Sequence, residues 1–263
     1  MDDATAGAAS DLLVRHWRAG TVLAGLPDAL RPASRAEGYA IQARLERLSA
    51  QPLFGWKIAA TSTAGQRHIG VDGPLAGRLL AEMVHRDGAT LPFGANRMRV
   101  AEAEFAFRMA RDLPPRTEPY TQAEVLDAVA ALHTAIEVPD SRFADFATAG
   151  AAQLVADNAC AHLFVLGPEA PASWRGLDLA AHRVTGRVAG KLEREGQGAN
   201  VLGDPRIALA WLANELSRHG VTLGAGQVVT TGTCLVPMEV APGDEVSAEY
   251  GVLGRVGMRF AAA

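Results

Sequence analysis

Glu102 and Glu104 stand one residue apart in Arg99-Val-Ala-Glu-Ala-Glu-Phe-Ala-Phe107, and Glu137 lies in the apolar run Ala135-Ile-Glu-Val-Pro-Asp-Ser-Arg142. These are the residues of the chain best suited to chemistry. A strand points residues i and i+2 to one side, so the first two carboxylates converge. A lone acid in an apolar run is costly to bury unless it is paired or bound to a cation. Converging carboxylates suit a hard divalent ion: Mg²⁺ or Mn²⁺ takes oxygen ligands and keeps several waters, leaving positions for the carboxylate and the keto or enol oxygen of a 2-oxo acid. The competing reading is a solvated Glu-x-Glu on an edge strand, since charged residues are seldom buried. Against it, Ala101, Ala103, Phe105 and Phe107 alternate with the acids, which indicates a half-buried, ordered strand, with Arg108 and Arg111 adding positive charge nearby.

Lysine is almost absent. Of 25 basic residues only Lys57 and Lys191 are lysines. Arginine does not replace lysine where a compact ammonium or a tunable pKa is needed, so Lys57, retained in Phe54-Gly-Trp-Lys-Ile-Ala-Ala60, is a second candidate for chemistry. Its alternative role is a stem that covers apolar surface while the charge reaches water. Lys191 reads as part of a strand entering an exposed turn.

The elements that must position these groups can be read in outline. A chain of 263 residues with 49% hydrophobic content can bury a large core, and a net charge of −4 without a basic block argues against a nucleic-acid or anionic-membrane surface. No apolar run approaches the ~18 residues of a membrane span, and the acidic start lacks a secretory pattern, so a cytoplasmic location is expected. Cys160 and Cys234 show no zinc-like spacing and read as reduced thiols. No phosphate-cradling glycine motif or nucleophile elbow occurs.

The first ninety residues read as largely helical, with a capping box at Ser34 and Glu37, then a strand over 55–59 and a glycine-rich connection holding Asp72, a turn-former or a polar site residue. Thr121 and Glu124 predict a helix over 122–134 that delivers the chain to Glu137. Asp157 and Asn158 flank an apolar run as site residues or caps. Asp204-Pro205 opens a helix ended by Gly220, and the tail from Gln227 to Phe260 alternates as several strands. The class is α+β with a mixed, mostly antiparallel sheet.

Taken together, Gly55-Trp-Lys-Ile, Gly70-Val-Asp, Glu102-Ala-Glu-Phe-Ala-Phe, Glu137-Val-Pro-Asp-Ser-Arg, Ala156-Asp-Asn-Ala, Leu163-Phe-Val-Leu-Gly and Thr231-Gly-Thr…Pro242-Gly-Asp resemble the 2-keto-4-pentenoate hydratase and 4-oxalocrotonate decarboxylase family of the fumarylacetoacetate-hydrolase superfamily, across nearly the whole chain. The resemblance implies a fumarylacetoacetase-type β core at about 93–263 behind a helical lobe at about 1–92, as one catalytic domain. It implies that Glu102, Glu104 and Glu137 bind Mg²⁺ or Mn²⁺, that Lys57 and Asp72 are catalytic, and that Asp157, Asn158, Cys160 and His162 border the substrate. Where many such hydratases read Asp-Asn-Ala-Ser-Ser-Gly, this chain reads Asp157-Asn-Ala-Cys-Ala-His162. The activity implied is hydration of a 2-hydroxy-2,4-dienoate in aromatic meta-cleavage catabolism, with decarboxylation of a 4-oxalocrotonate-type diacid as the alternative. The family also implies a homo-oligomer, possible in association with a paralogous decarboxylase or hydratase. A non-catalytic assembly partner is the remaining alternative, and three mutually repelling acids argue against it.

Overall fold

The computed structural model describes residues 1–262. Asp2 caps α1 (Asp3–Ala19) by accepting the Thr5 N–H, and Gly20, left-handed at φ 63°, ends it. Ser34 caps α2 (Arg35–Ala43) in the same way, through the Glu37 N–H. The chain then alternates short elements: β1 (Gly55–Ala59), α3 (Thr63–His68), β2 (Leu75–Leu79), β3 (Val84–Arg86), β4 (Thr90–Leu91) and β5 (Val100–Met109). Next come α4 (Gln122–Asp127), β6 (Val129–Val138), α5 (Ala151–Ala156), β7 (Leu163–Glu169), β8 (Arg183–Val188) and β9 (Leu192–Gln197). Helix α6 (Pro205–Arg218) precedes β10 (Val228–Thr233), β11 (Met238–Glu239), β12 (Glu245–Glu249) and β13 (Arg255–Phe260).

The strands form an eight-stranded mixed sheet, ordered β2-β1-β10-β5-β6-β7-β3 with β11 beside β5, and a five-stranded sheet ordered β4-β13-β12-β8-β9. The main core lies between them, with Phe105, Phe107 and Ile136 from the first sheet and Val246, Val256 and Met258 from the second in one buried cluster. Tyr250, which follows β12, donates its hydroxyl to the carbonyls of Glu104 (2.8 Å) and Ala135 (3.2 Å), tying the second sheet to the β5–β6 pair. Helices α1, α2 and α5 share a smaller cluster through Ala6, Leu13, Ile41 and Ala156.

Three expectations are corrected. Residues 1–92 do not form a helical lobe throughout: β1, β2 and β3 belong to the large sheet and β4 to the small one, so helical structure dominates only as far as Leu48. The helix expected over 122–134 ends at Asp127. The Thr121–Glu124 capping box is present, but a cap fixes a beginning and not a length, and from Val129 onward ladder hydrogen bonds with β5 and burial capture the chain as a strand. Strand β5 is also more than half buried. It is interior to the sheet, and both Phe105 and its neighbour Glu104 are at most 1% exposed, which removes the edge-strand reading of Glu-x-Glu.

Candidate active site

Antiparallel pairing of β5 with β6 places Glu102 directly opposite Glu137, and the two-residue period brings Glu104 to the same face. One carboxylate oxygen from each acid lies within 4.8 Å of the others. Glu104 is held by a distortion in the next strand. The β10–β5 register shifts between Thr230 and Thr233, and the shift turns the Gly232 amide toward the acid, so that Glu104 Oε2 accepts from Gly232 N (2.7 Å) and from the Thr230 hydroxyl. Only glycine fits there: φ is 95°, and a Cβ would stand 2.1 Å from Thr61 Oγ1.

Lys57 comes from β1, three strand positions from β6. On a flat sheet those strands would be about 14 Å apart. Nevertheless Lys57 Nζ lies 3.0 Å from Glu137 Oε1, so the sheet curls to close this face around the site. The contact is an ion pair without hydrogen-bond alignment; the ammonium's hydrogen bond goes to the Ala159 carbonyl at 2.9 Å. Gly77, the partner of Lys57 on β2, makes room, since a Cβ there would meet both the lysine stem (3.0 Å) and the Asn158 carbonyl (2.4 Å).

The Ala159 carbonyl is presented by a turn in which Asn158, Ala159 and Cys160 all have positive φ, at 56°, 50° and 61°. Non-glycine residues adopt this region at a cost, so something must hold the turn. Asn158 does so with its whole side-chain amide, accepting from Arg78 N (2.6 Å) and donating to Arg78 O (2.9 Å). Asp157 does so by accepting from Ser141 Oγ (2.7 Å), Arg142 N (3.0 Å) and the Arg142 guanidinium.

The expected site residues therefore separate. Glu102, Glu104, Glu137 and Lys57 are brought together. Cys160 joins them as part of the wall of an adjoining cavity, which is also lined by Lys57 and Glu102. Asp157 and Asn158 are buried supports of the turn rather than cavity residues. His162 lies behind the wall, where its Nδ1 accepts from Trp17 Nε1 (3.0 Å). Asp72 is 91% exposed, pairs with Arg35 and does not line the cavity; a short acid in a glycine-rich turn finds its partner in the nearest helix. Arg108 and Arg111 turn to His133 and Asp127 instead of the acids. Sequence reasoning gave no role to Gly77, Thr230 or Gly232, although Thr231-Gly-Thr was visible as a motif.

Burial and the neighbouring Glu137 push Glu102 up to about 7 and hold Glu104 well above the usual carboxylate range. For Lys57, burial favours the neutral amine, but the charges of Glu137 and Glu102 outweigh it and raise the pKa above the ordinary lysine value. Burial, with Asp157 nearby, pushes the Cys160 thiol up to about 12, so it is protonated at neutral pH. Glu104 Oε1 and Glu137 Oε2 are buried without a hydrogen-bond partner, and Glu137 Oε1 has only the Lys57 ammonium beside it. Converging acids whose ionised forms are disfavoured by burial and by one another, with unpartnered oxygens among them, fit a hard divalent cation, which would favour the ionised forms and supply the missing partners.

Residues 78–261 match the model of the fumarylacetoacetate (FAA) hydrolase C-terminal domain. The chain is 36% identical to a 2-keto-4-pentenoate hydratase of Burkholderia vietnamiensis (strain G4 / LMG 22486), with 98% of each chain covered. It is 33% identical to a 2-hydroxyhexa-2,4-dienoate hydratase of Comamonas testosteroni, over 82% of this chain and 81% of that one. Among solved structures, the 4-oxalocrotonate decarboxylase from Pseudomonas putida G7, complexed with magnesium and adipate, superposes with a TM-score of 0.89 at 27% identity, covering 99% of this chain and 98% of that one. The same decarboxylase has also been solved with calcium and acetate. With the acids paired across β5 and β6 and this likeness running the length of the sequence, the chain belongs to the fumarylacetoacetate hydrolase family, among the 2-keto-4-pentenoate hydratases and their 4-oxalocrotonate decarboxylase relatives.

Proposed function

We propose that this protein is a divalent-metal-dependent hydratase that adds water to a 2-hydroxy-2,4-dienoate of the 2-keto-4-pentenoate type, giving a 4-hydroxy-2-oxo acid in aromatic meta-cleavage catabolism. The observation that carries the proposal is the convergence of half-buried Glu102 with buried Glu104 and Glu137, the buried pair carrying unpartnered oxygens, beside a single ammonium in the cavity wall. Full-length identity with hydratases favours hydration over decarboxylation, which the likeness to the decarboxylase fold keeps as the second reading. The convergence of the three acids with Lys57 argues against a non-catalytic assembly partner.

Glu102, Glu104 and Glu137 would hold Mg²⁺ or Mn²⁺, which when bound supplies positive charge to offset the charge developing on the substrate's carboxylate and 2-oxygen. The chain's own residues do the rest. In the reaction the 2-hydroxyl loses its proton while the remote carbon, C5, gains one, giving the 2-oxo-3-enoate; water oxygen then bonds to C4 and a proton to C3. Lys57 is placed to hold or deliver a proton at Nζ, its direction set by the Ala159 carbonyl and Glu137. Cys160 offers a neutral thiol, a weaker hydrogen-bond donor than a hydroxyl. Asp157 and Asn158 act through the turn they fix, and His162 through Trp17 behind it. Asp72 would join the catalytic set only after leaving Arg35.

The proposal extends to the working state. Residues 1–263 act as one catalytic unit in the cytoplasm, where the free thiols of Cys160 and Cys234 stay reduced. The unit would be a homo-oligomer able to associate with a paralogous decarboxylase or hydratase, and an interface between copies would bury exposed apolar residues such as Val252. The test is an assay of 2-hydroxypenta-2,4-dienoate and 2-oxohex-3-enedioate with and without Mg²⁺, products identified by mass. Metal-dependent gain of water by the monoacid is expected; loss of CO₂ from the diacid alone would replace hydration by decarboxylation.

A further inference from the structure

The cavity beside the acids has a volume of about 640 Å³. That is the scale of sites for drug-sized ligands, roughly 300–1,000 Å³, and far more than a five-carbon acid fills. Its charged lining is a single cluster: Lys57 and Glu102 stand near each other, and among the described residues no arginine and no second lysine reaches the wall. Most of the remaining wall is apolar, including Ile69, Met98, Phe146, Leu154, Leu235 and Val236. The other polar groups of the wall are small and neutral, such as Thr61, Ser62 and Thr233; His68 is the one further titratable base, and its ring packs edge-on against Phe146 at 5.9 Å.

A substrate anchored at the acids by its carboxylate and 2-oxygen must send its other end along these walls. A second carboxylate there would lose water and find no fixed cation, which is unfavourable. An apolar tail would gain about 0.8 kcal/mol per buried methylene, roughly a fourfold gain in affinity.

Building on the hydratase reading, we infer that the preferred substrate is a 2-hydroxy-2,4-dienoate monoacid whose remote carbon carries an extended uncharged apolar substituent, an alkyl chain of several carbons or an aryl ring, and that the cavity rejects diacids. Ile69, Met98, Phe146 and Val236 are the residues that set this preference. Val236, 65% exposed at the cavity rim, can be changed without disturbing the core.

The experiment uses the Mg²⁺-loaded full chain and unreactive 2-oxo acids in calorimetry: 2-oxopentanoate, 2-oxononanoate, 2-oxo-6-phenylhexanoate and the diacid 2-oxohexanedioate, beside kcat/KM for hydration of dienoates with matching tails. Affinity should rise at least about tenfold from the five- to the nine-carbon acid, as partial burial of four methylenes requires, with the phenyl compound also tighter. The diacid should bind about tenfold more weakly than 2-oxopentanoate, and Val236→Arg should recover diacid binding while reducing the gain from the tail. Affinities that stay flat with tail length while 2-hydroxypenta-2,4-dienoate is still hydrated overturn this inference alone. Diacid binding equal to that of the monoacid and lost in His68→Gln also overturns it, by placing a cation in the apolar wall. Failure of every 2-oxo acid to bind, with no hydration of any dienoate, overturns the hydratase reading as well.

Discussion

Glu102, Glu104 and Glu137 stand on strands paired along their length, whereas the nearby wall residues Ala159 and Cys160 belong, with their support Asn158, to a turn of consecutive left-handed residues. The strands place charge by regular geometry: opposite position across an antiparallel pair, and the two-residue period within β5. The turn places a carbonyl and a thiol by irregular geometry, which persists because Arg78, Ser141 and Arg142 hold its neighbours from elsewhere in the fold. The difference separates two tasks. Strand pairing keeps the acids together at the cost of raising Glu102 and Glu104 above the usual carboxylate range, while the ammonium of Lys57 is oriented by the carbonyl of a segment that no local preference would form.

Changes on the strand side should cost the most. Glu104→Gln is expected to lower kcat by a factor on the order of 10³, since it removes one of the three proposed ligands, and to abolish the rise in Tm on adding Mg²⁺ with the fold retained. A normal turnover number would break the assignment of metal ligation to these strands. Lys57→Met should lower kcat about 10²- to 10⁴-fold while keeping the Mg²⁺-dependent rise in Tm, which separates proton handling from metal holding. Gly232→Ala sharpens the comparison within the sheet, because its strained φ and the Thr61 clash occur at the one irregular point of β10. It should destabilise the protein by about 1–3 kcal/mol in denaturant melts and weaken Mg²⁺ binding through Glu104.

The smallest effect belongs to the support behind the turn. Burial, and the nearby Arg142 charge, push His162 down to about 4, and its Nδ1 accepts a hydrogen bond from Trp17. The unfolded histidine titrates near 6.5, so between about pH 6.5 and 4 the unfolded chain binds the extra proton and stability falls as pH falls. His162→Asn should flatten that part of the stability profile by about 1–3 kcal/mol relative to the parent protein. An unchanged profile would show that the ring does not stay buried and neutral.

The sequence made the strand side legible and the turn side only in part. Glu-x-Glu with alternating apolar partners states its own geometry, and the loss of nearly every lysine singles out Lys57. Asp157 and Asn158 were visible as residues of the site region, but their partners Arg142 and Arg78 lie 15 and 80 residues away, and no local pattern distinguishes a buried support from a substrate contact. Asp72 failed for the converse reason: its exposed pairing with Arg35 is a matter of which helix happens to lie beside its turn. The helix expected to reach residue 134 gave way to β6 because strand pairing is decided by a distant segment, β5, while the capping box reports only on its own turn.

The left-handed turn also has a consequence for the order in which the protein assembles. Its anchors come from β2 and from the segment after β6, so nothing holds Asn158 to Cys160 until those parts have docked, and a chain that has formed only the β5–β6 pair carries the acids without the wall. Reversible opening should follow the same seam in reverse. The Ala161 amide, which closes the turn on the Asn158 carbonyl at 2.9 Å, is expected to exchange with solvent deuterium before the amides of β5 and β6, as the native protein transiently visits a form with its acids in place and its lysine held by Glu137 alone.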